Sequence, residues 1–315
     1  MVPIPDNSES PCSRETNGAH PNDPTVPSKR SKTLPRPGLY IVATPIGNLG
    51  DLTERAASTL REASLIACED TRVTRKLLFN RGIRSKLVSY HDHSSESVRA
   101  RLIERLRNGE TVALVSDAGT PMISDPGYKL VVAAVEAGIH VTAVPGPASP
   151  LAALVLSGLP TDRFLFAGYL PTKEKARSDL IQEFSSIRAT LIFLESPRRL
   201  ALSLSALAED LGDRAAAVGR ELTKIHEEVV RGRLSGLAKK YTEEEGPKGE
   251  VIIVVGPPEE SPPNEEDIDA LLKEGISKMS VRDAAAMVAS ATGVSKKEVY
   301  RRALRLEHVS AVVRK

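Results

Sequence analysis

Five times between residues 38 and 157, a short aliphatic run stops at a turn and gives way to a helical pattern. The runs are Leu39–Ala43, Leu65–Ala67, Leu87–Tyr90, Val112–Val115 and Val141–Val144. Each is too short for a helix, and most are apolar at successive rather than alternate positions, as a strand buried on both faces requires. Between them, Leu52, Ala56 and Leu60, and then Val98, Leu102, Ile103 and Leu106, recur at helical spacing. Strand and helix in strict alternation predict a parallel sheet with helices on both faces.

The turns after these strands are the next constraint. Open α/β sheets bind ligands outside the carboxyl ends of their strands. The fourth run ends in Ser116-Asp-Ala-Gly-Thr-Pro-Met-Ile-Ser-Asp-Pro-Gly127, three sets of turn-forming residues within a dozen positions. Asp125 reads as a helix cap with Pro126 in the first turn. Asp51, three residues before Glu54, reads as a capping-box-like helix start. No G-x-G-x-x-G, no G-x-x-x-x-G-K-[ST] and no G-x-S-x-G occurs, which removes a dinucleotide fingerprint, a P-loop and a hydrolase elbow. Any ligand is therefore held by turns of proline and small residues.

A second α/β unit is expected over residues 158–257. Strands are expected at Phe164–Ala167, Thr190–Leu194, Ala215–Val218 and Gly249–Val255, with a hairpin-like stretch around 219–231 that predicts a mixed sheet. A proline-rich linker follows, and residues 264–315 turn wholly helical, with helices over 265–274, 280–291 and 295–306. Ala289, Gly293 and Val299 stand where a helix-turn-helix places its small residue, turn glycine and packing residue. Residues 1–37, rich in Pro, Ser, Asn and Thr, read as a disordered extension.

Aromatic residues make up 3% of the chain and tryptophan is absent, so the cores must be aliphatic. The net charge is +2, which leaves any nucleic-acid contact to local patches. One such patch is on the last helix: Lys296, Lys297, Arg301, Arg302 and Arg305. A solvated helix face explains it as well as phosphate contact does. With two cysteines, one of them in the extension, no structural disulfide is expected. No Cys/His spacing suggests a metal, no run suggests a membrane span, and the cytoplasm is the expected compartment.

Seven stretches resemble one family in order. They are Ala43-Thr-Pro-Ile-Gly-Asn-Leu-Gly-Asp51, Cys68-Glu-Asp-Thr-Arg-Val-Thr-Arg-Lys-Leu-Leu78, the 116–127 loop, Val144-Pro-Gly-Pro-Ala-Ser149, Phe193-Leu-Glu-Ser-Pro-Arg-Arg199, Gly219-Arg-Glu-Leu-Thr-Lys224 and Lys248-Gly-Glu-Val251. Over residues 38–315 the chain resembles the ribosomal RNA small subunit methyltransferase I family, of the tetrapyrrole-methylase fold. The resemblance implies two α/β domains with a cofactor cleft between them and a small all-α module. It also implies methyl transfer from S-adenosylmethionine to the ribose 2′-oxygen of a cytidine in 16S rRNA of the small ribosomal subunit, by a homodimer. It would place Pro45, Asp117, Gly119, Thr120 and Ile123 on one side of the cofactor, Ala148 and Ser149 on another, and Gly249 near the adenine. At Thr120 many tetrapyrrole methylases carry a carboxylate instead, which argues against a tetrapyrrole substrate.

A ribose hydroxyl is a weak nucleophile, and a positioned base would help it. The carboxylates expected at strand ends facing the cleft are Glu69, Asp70, Glu195 and Glu221, and of these Asp70 and Glu195 are taken as catalytic candidates. Asp70 could instead cap a helix, and Glu195 could pair with Arg198 or Arg220. Arg72, Arg75, Arg198, Arg199, Arg220 and Lys224 fall on turns at strand ends, where a basic rim would suit RNA phosphates. Two other readings use the same features: a small-molecule methyltransferase of this fold, and a regulator that binds DNA through its last helices.

Overall fold

The computed structural model describes residues 36–91, 94–244, 247–259 and 265–313. The expected extension at 1–37 falls almost wholly outside them. Strands β1 (Gly38–Val42), β2 (Leu65–Cys68), β3 (Leu87–Ser89), β4 (Thr111–Val115) and β5 (Val141–Val144) form one sheet in the order β3-β2-β4-β1-β5. Every pairing in it is parallel. Helices α1 (Glu54–Glu62) and α2 (Thr71–Asn80) cover one face, where Leu60 and Leu78 pack on Val42, Ile66 and Ala113. Helices α3 (Glu96–Arg107) and α4 (Tyr128–Glu136) cover the other, where Leu102, Leu106 and Leu130 meet Leu39, Ala67 and Leu114. The chain leaves β1 towards β2 and leaves β4 towards β5, in opposite directions from adjacent strands. Such a switch point opens a crevice at the strand ends.

Helix α5 (Ser149–Ser157) then enters the second lobe. Its Ala153 and Leu154 are buried against Ile192, Leu222, Ile252 and Val254. The first unit was expected to run to residue 157. By packing, α5 belongs with the second sheet, because its apolar face is the cover that sheet lacks on one side.

That sheet holds β6 (Phe164–Tyr169), β7 (Thr190–Glu195), β8 (Ala215–Arg220), β9 (Glu228–Arg233) and β10 (Val251–Val255), in the order β6-β7-β10-β8-β9. Only β6 and β7 run parallel; the other pairs are antiparallel, and the expected mixed sheet is present. Its second face is covered by α6 (Glu174–Glu183), α7 (Leu200–Leu211) and α8 (Leu234–Glu243). On α7, Leu200, Leu204, Leu207 and Leu211 recur every three or four residues and form the buried stripe.

Helices α9 (Glu265–Ile276), α10 (Val281–Thr292) and α11 (Lys296–Val313) enclose a small core of Ile268, Leu272, Ala285, Val288, Val299 and Ala303. Ser280 caps α10 by accepting from the Asp283 amide, and Gly293, at φ 70°, ends it in the left-handed conformation. The last helix runs past the expected residue 306 to Val313.

Two expected helix starts differ. Leu49–Asp51 is a short 3-10 turn begun by Asn48, and Thr53, not Asp51, caps α1 by accepting from the Ala56 amide. Asp125 caps nothing: α4 begins at Tyr128 after Gly127, whose φ is 140°. A Cβ on Gly127 would lie 2.8 Å from Leu114 Cδ2, so the loop must press against β4 there, and residues 121–127 stay outside the helix.

Candidate active site

The crevice is built by fastening the loops after β1, β2, β4 and β5 to one another. Thr44 and Gly119 exchange backbone hydrogen bonds of 2.8 and 3.0 Å, which joins the β1 and β4 loops as a short antiparallel bridge. The Thr120 hydroxyl donates to the Pro147 carbonyl at 3.0 Å and ties β4's loop to β5's. A carboxylate at position 120 could not donate that bond. The Asp70 amide donates to Asp117 Oδ1 at 3.0 Å, which brings in the β2 loop. Gly119 sits at φ 79°, and a Cβ there would touch Ile46 at 3.4 Å, so the bridge favours glycine.

The second lobe closes over this surface. A Cβ on Gly47 would lie 2.4 Å from Lys224 Cγ and 2.8 Å from Thr223 Oγ1, so the β1 loop abuts the β8–β9 loop with no room for a side chain. Four non-glycine residues among those described have left-handed φ: Met122 at 72°, Ser124 at 64°, Glu221 at 49° and Thr223 at 66°. They fall in two loops, one from each lobe, and each loop supplies a residue to the cavity between them, Ser124 and Leu222. Left-handed backbone costs an L residue roughly 1–2 kcal/mol, and such outliers concentrate at functional sites.

The cavity is a cleft between the two lobes, part of it open to solvent. Ile46, Ile123, Leu194, Leu222, Val251 and Ile252 supply apolar walls, and Ser149 and Tyr169 supply hydroxyls. Its charged lining is Asp125, Glu195 and Glu250, with no lysine or arginine. Glu195 and Glu250 have cations of their own, so Asp125 is the lining carboxylate left to face a cationic ligand.

The carboxylates differ in their partners. Asp70 caps α2 through the Arg72 amide at 2.7 Å and also holds the Arg72 guanidinium at 2.6 Å. Those hydrogen bonds to Arg72 pull its carboxyl down to about 2. Glu195 is fully buried. Its Oε1 accepts from the Ser196 amide and pairs with Arg199, both at 2.6 Å, and its Oε2 accepts from Ser203 Oγ at 2.5 Å. Its partner is thus Arg199, neither Arg198 nor Arg220. Glu221 takes the Lys224 ammonium and the Glu250 amide, each at 2.9 Å, and these bonds hold its carboxyl below the ordinary range. Among the described residues no lysine or arginine pairs with Asp125, and burial pushes its carboxyl up to about 6. Glu69 and Asp117 nearby add to that rise, while a hydrogen bond with Ser116 opposes it.

Of the expected ligand contacts, Ile123 and Ser149 line the cavity, as does Glu195. Asp117, Gly119, Thr120 and Ala148 lie within the fastened loops on its first-lobe side, and Pro45 follows Thr44 there. Gly249 has φ 95°, and a Cβ on it would fall 2.2 Å from Glu221 Oε1, so the space it leaves is filled by Glu221. Asp125, Tyr169 and Glu250 line the cavity and were not singled out for it from the sequence.

The expected RNA contacts divide in two. Arg199 is drawn onto Glu195 and the Leu170 carbonyl, and Arg220 pairs with Glu228 at 3.1 Å. Lys224 bridges Glu221 and Glu250, and Arg302 is held by Asp269. Arg72, although exposed, is paired with Asp70. Arg75, Arg198, Lys296, Lys297 and Arg301 stand exposed on the surface. No helix among the described residues is long and apolar enough to cross a membrane, and they contain no cluster of His, Cys, Asp and Glu suited to a metal ion.

Residues 38–238 match the Tetrapyrrole (Corrin/Porphyrin) Methylases, and residues 262–307 match the RsmI C-terminal HTH domain. The chain is similar to the ribosomal RNA small subunit methyltransferase I of Mesorhizobium japonicum, at 51% identity over 275 residues, covering 87% of this chain and 94% of that one. It is similar to the protein of the same name from Erythrobacter litoralis, at 51% identity over 271 residues, covering 86% of this chain and 96% of that one. Among solved structures, a uroporphyrin-III-C-methyltransferase from Thermus thermophilus matches with a TM-score of 0.50 at 26% identity, over 70% of this chain and 94% of that one.

Proposed function

The chain belongs to the ribosomal RNA small subunit methyltransferase I family, and from that premise we propose that it methylates the ribose 2′-oxygen of a cytidine in 16S rRNA, with S-adenosylmethionine as donor. The observation that carries the reading is the cavity at the first sheet's strand ends, where Asp125 is a half-buried carboxylate with no lysine or arginine paired to it among the described residues. It fits a donor whose sulfur bears a positive charge, and it would repel a bare phosphate. When bound, S-adenosylmethionine supplies a methyl group on that cationic sulfur.

The chain's own residues would do the rest. Asp117, Gly119, Thr120 and Ile123 would hold the amino-acid and sulfonium portion, with Pro45, Ala148, Ser149 and Gly249 shaping the remaining walls. Aliphatic side chains from both lobes would exclude water from the reacting atoms. Holding donor and acceptor in line can remove roughly 7–11 kcal/mol from a displacement barrier. Asp70 would act by position, since its amide and its capping carboxylate join the β2 loop to Asp117 and α2. Glu195 would anchor the second lobe's wall, and Arg199 with it.

Arg75 and Arg198, exposed on the two lobes, and Lys296, Lys297 and Arg301 on α11 would grip the RNA backbone. A homodimer fits the exposure of Leu151 and Val155, one turn apart on α5. The setting would be the cytoplasm, with the small ribosomal subunit as partner.

The test is to incubate the purified protein with methyl-labelled S-adenosylmethionine and, in turn, small ribosomal subunits, free 16S rRNA and tetrapyrroles, and then map the labelled nucleotide. The expected product is one cytidine labelled on its ribose. Label on a base, or on no RNA at all, defeats the proposal; label on a tetrapyrrole favours the small-molecule reading.

A further inference from the structure

We propose that Asp125 accepts the proton of the hydroxyl that becomes methylated. The inference rests on the function proposed above and gives a chemical step to a carboxylate that this function uses only for its charge.

Three observations lead to Asp125. First, it lines the cavity between the lobes, on the first-lobe side. Second, the competing carboxylates are committed elsewhere. Glu195 is enclosed by Arg199, Ser196 and Ser203; Glu250 is exposed and reaches Lys224 at 3.3 Å; Asp70 is not part of the lining and is held by Arg72. Third, the backbone around Asp125 is shaped to place it. Ser124 before it has φ 64°, Gly127 after it has φ 140°, and Gly127 is pressed onto Leu114. A helix start at Asp125, the expectation from sequence, would have spent its carboxylate on a backbone amide. The strained loop leaves it facing the cavity instead.

The surroundings tune it for this work. From the β4 loop come Ser116 and Asp117, from the β2 loop Glu69, and across the cavity stand Tyr169, Glu195 and Glu250. Burial raises the Asp125 midpoint most, Glu69 and Asp117 add to the rise and the Ser116 hydrogen bond opposes it; across the cavity Arg199 and Lys224 are drawn onto Glu195 and Glu250. A carboxyl with a midpoint of about 6 is largely ionised at neutral pH, yet it binds a proton far better than an ordinary aspartate.

The ribose O2′ lone pair forms the new bond to the methyl carbon. The methyl–sulfur bond breaks, its electron pair stays on sulfur, and the O2′ proton passes to a carboxylate oxygen of Asp125. The products are the 2′-O-methyl ether, a neutral thioether and a protonated Asp125, which returns its proton to water.

The experiment compares the wild-type full chain with Asp125→Asn and Asp125→Glu. It measures single-turnover methyl transfer to small ribosomal subunits from pH 5 to 8.5 and S-adenosylhomocysteine binding by calorimetry. It also follows the carbon-13 carboxyl resonance that Asp125→Asn removes. Asp125→Asn should lose transfer by on the order of a hundredfold at neutral pH, with Asp125→Glu recovering part of it. Affinity for S-adenosylhomocysteine should hold within about threefold, as expected when only the transition state is affected. The wild-type rate should rise through an acid limb that the residual Asp125→Asn rate lacks, and the resonance should titrate above the ordinary aspartate range.

Wild-type rates in Asp125→Asn overturn this proposal alone. So does a loss of S-adenosylhomocysteine affinity in step with the rate, or an ordinary titration of the resonance. A wild-type protein that methylates no subunit overturns the proposed function and this inference with it.

Discussion

Each lobe places a carboxylate at the wall of the same cavity, and the two are treated in opposite ways. The second lobe encloses Glu195 with an arginine, a serine hydroxyl and a backbone amide, so that both of its oxygens are already engaged. The first lobe holds its loops by backbone bridges and a threonine hydroxyl, and it leaves Asp125 half-buried among other anions without a cation. A buried charge with its partners is an anchor. A desolvated carboxylate without a cationic partner carries an unrelieved cost, and such costs mark sites of chemistry. Two residues with the same functional group and similar places in the fold therefore have different work, and the partners decide which.

The sharpest way to break this comparison is to remove the anchor. Glu195→Ala leaves Arg199 with one carbonyl partner in a site only a quarter exposed. Stripping one member from a buried pair should destabilise the chain by about 3 kcal/mol, read as a lower urea midpoint at unchanged slope. An unfolding curve that overlays the wild type would show that Glu195 holds nothing, and the contrast between the lobes would collapse.

The first lobe's equivalent is Gly119. Valine there would have to adopt φ 79° and touch Ile46, at a stability cost of roughly 1–2 kcal/mol. The larger effect should fall on ligand binding. Displacing the Thr44–Gly119 bridge moves the loop that carries Asp117 and Thr120, and errors of about an ångström in a site commonly cost on the order of a hundredfold. Calorimetry with S-adenosylhomocysteine measures it; full affinity in a folded Gly119→Val protein would place the ligand elsewhere.

These two regions also show what could be read from sequence and what could not. The parallel sheet was readable because its strands are aliphatic at successive positions and its helices repeat at helical spacing. The mixed second sheet was readable from its hairpin-like stretch. The turns at the strand ends pointed to where the candidate cavity lies. Roles within the site did not follow, because they depend on contacts between residues far apart in the chain. Asp125 looked like a cap because Asp-Pro before an apolar run usually is one; the close approach of Gly127 to Leu114, thirteen positions earlier, decides otherwise. The ion pairs of Arg199 and Arg302 were not legible, because a charge in a sequence carries no record of its partner. Helix α5 was assigned to the first unit on continuity, while its packing face belongs to the second.

A third measurement sharpens the contrast through pH. Asp125 has its midpoint raised to about 6, against roughly 3.9 in an unfolded chain. The native state therefore binds more protons than the unfolded one between those values, and stability falls as pH rises through that window. Asp125→Asn removes the penalty. Allowing for its partial exposure, the gain at pH 7.5 should be about 1 kcal/mol, a rise of about 2 °C in melting temperature, and it should vanish near pH 4. Stabilisation together with lost transfer would mark a residue kept for function at the expense of stability. Destabilisation at neutral pH would put Asp125 in the same class as Glu195.

The smallest expected effects are on α11, where adjacent arginines repeat the same contrast. Arg302 is drawn onto Asp269 while Arg301 faces solvent. If Arg301 meets an RNA phosphate, Arg301→Ala should flatten the dependence of log affinity on log salt by roughly 0.7 and leave melting unchanged. Arg302→Ala should do the reverse, lowering stability by about 0.5–1 kcal/mol with the salt slope intact. A flattened slope from Arg302→Ala would mean that the ion pair with Asp269 opens when RNA binds, because an arginine cannot offer the same fork to a carboxylate and a phosphate at once.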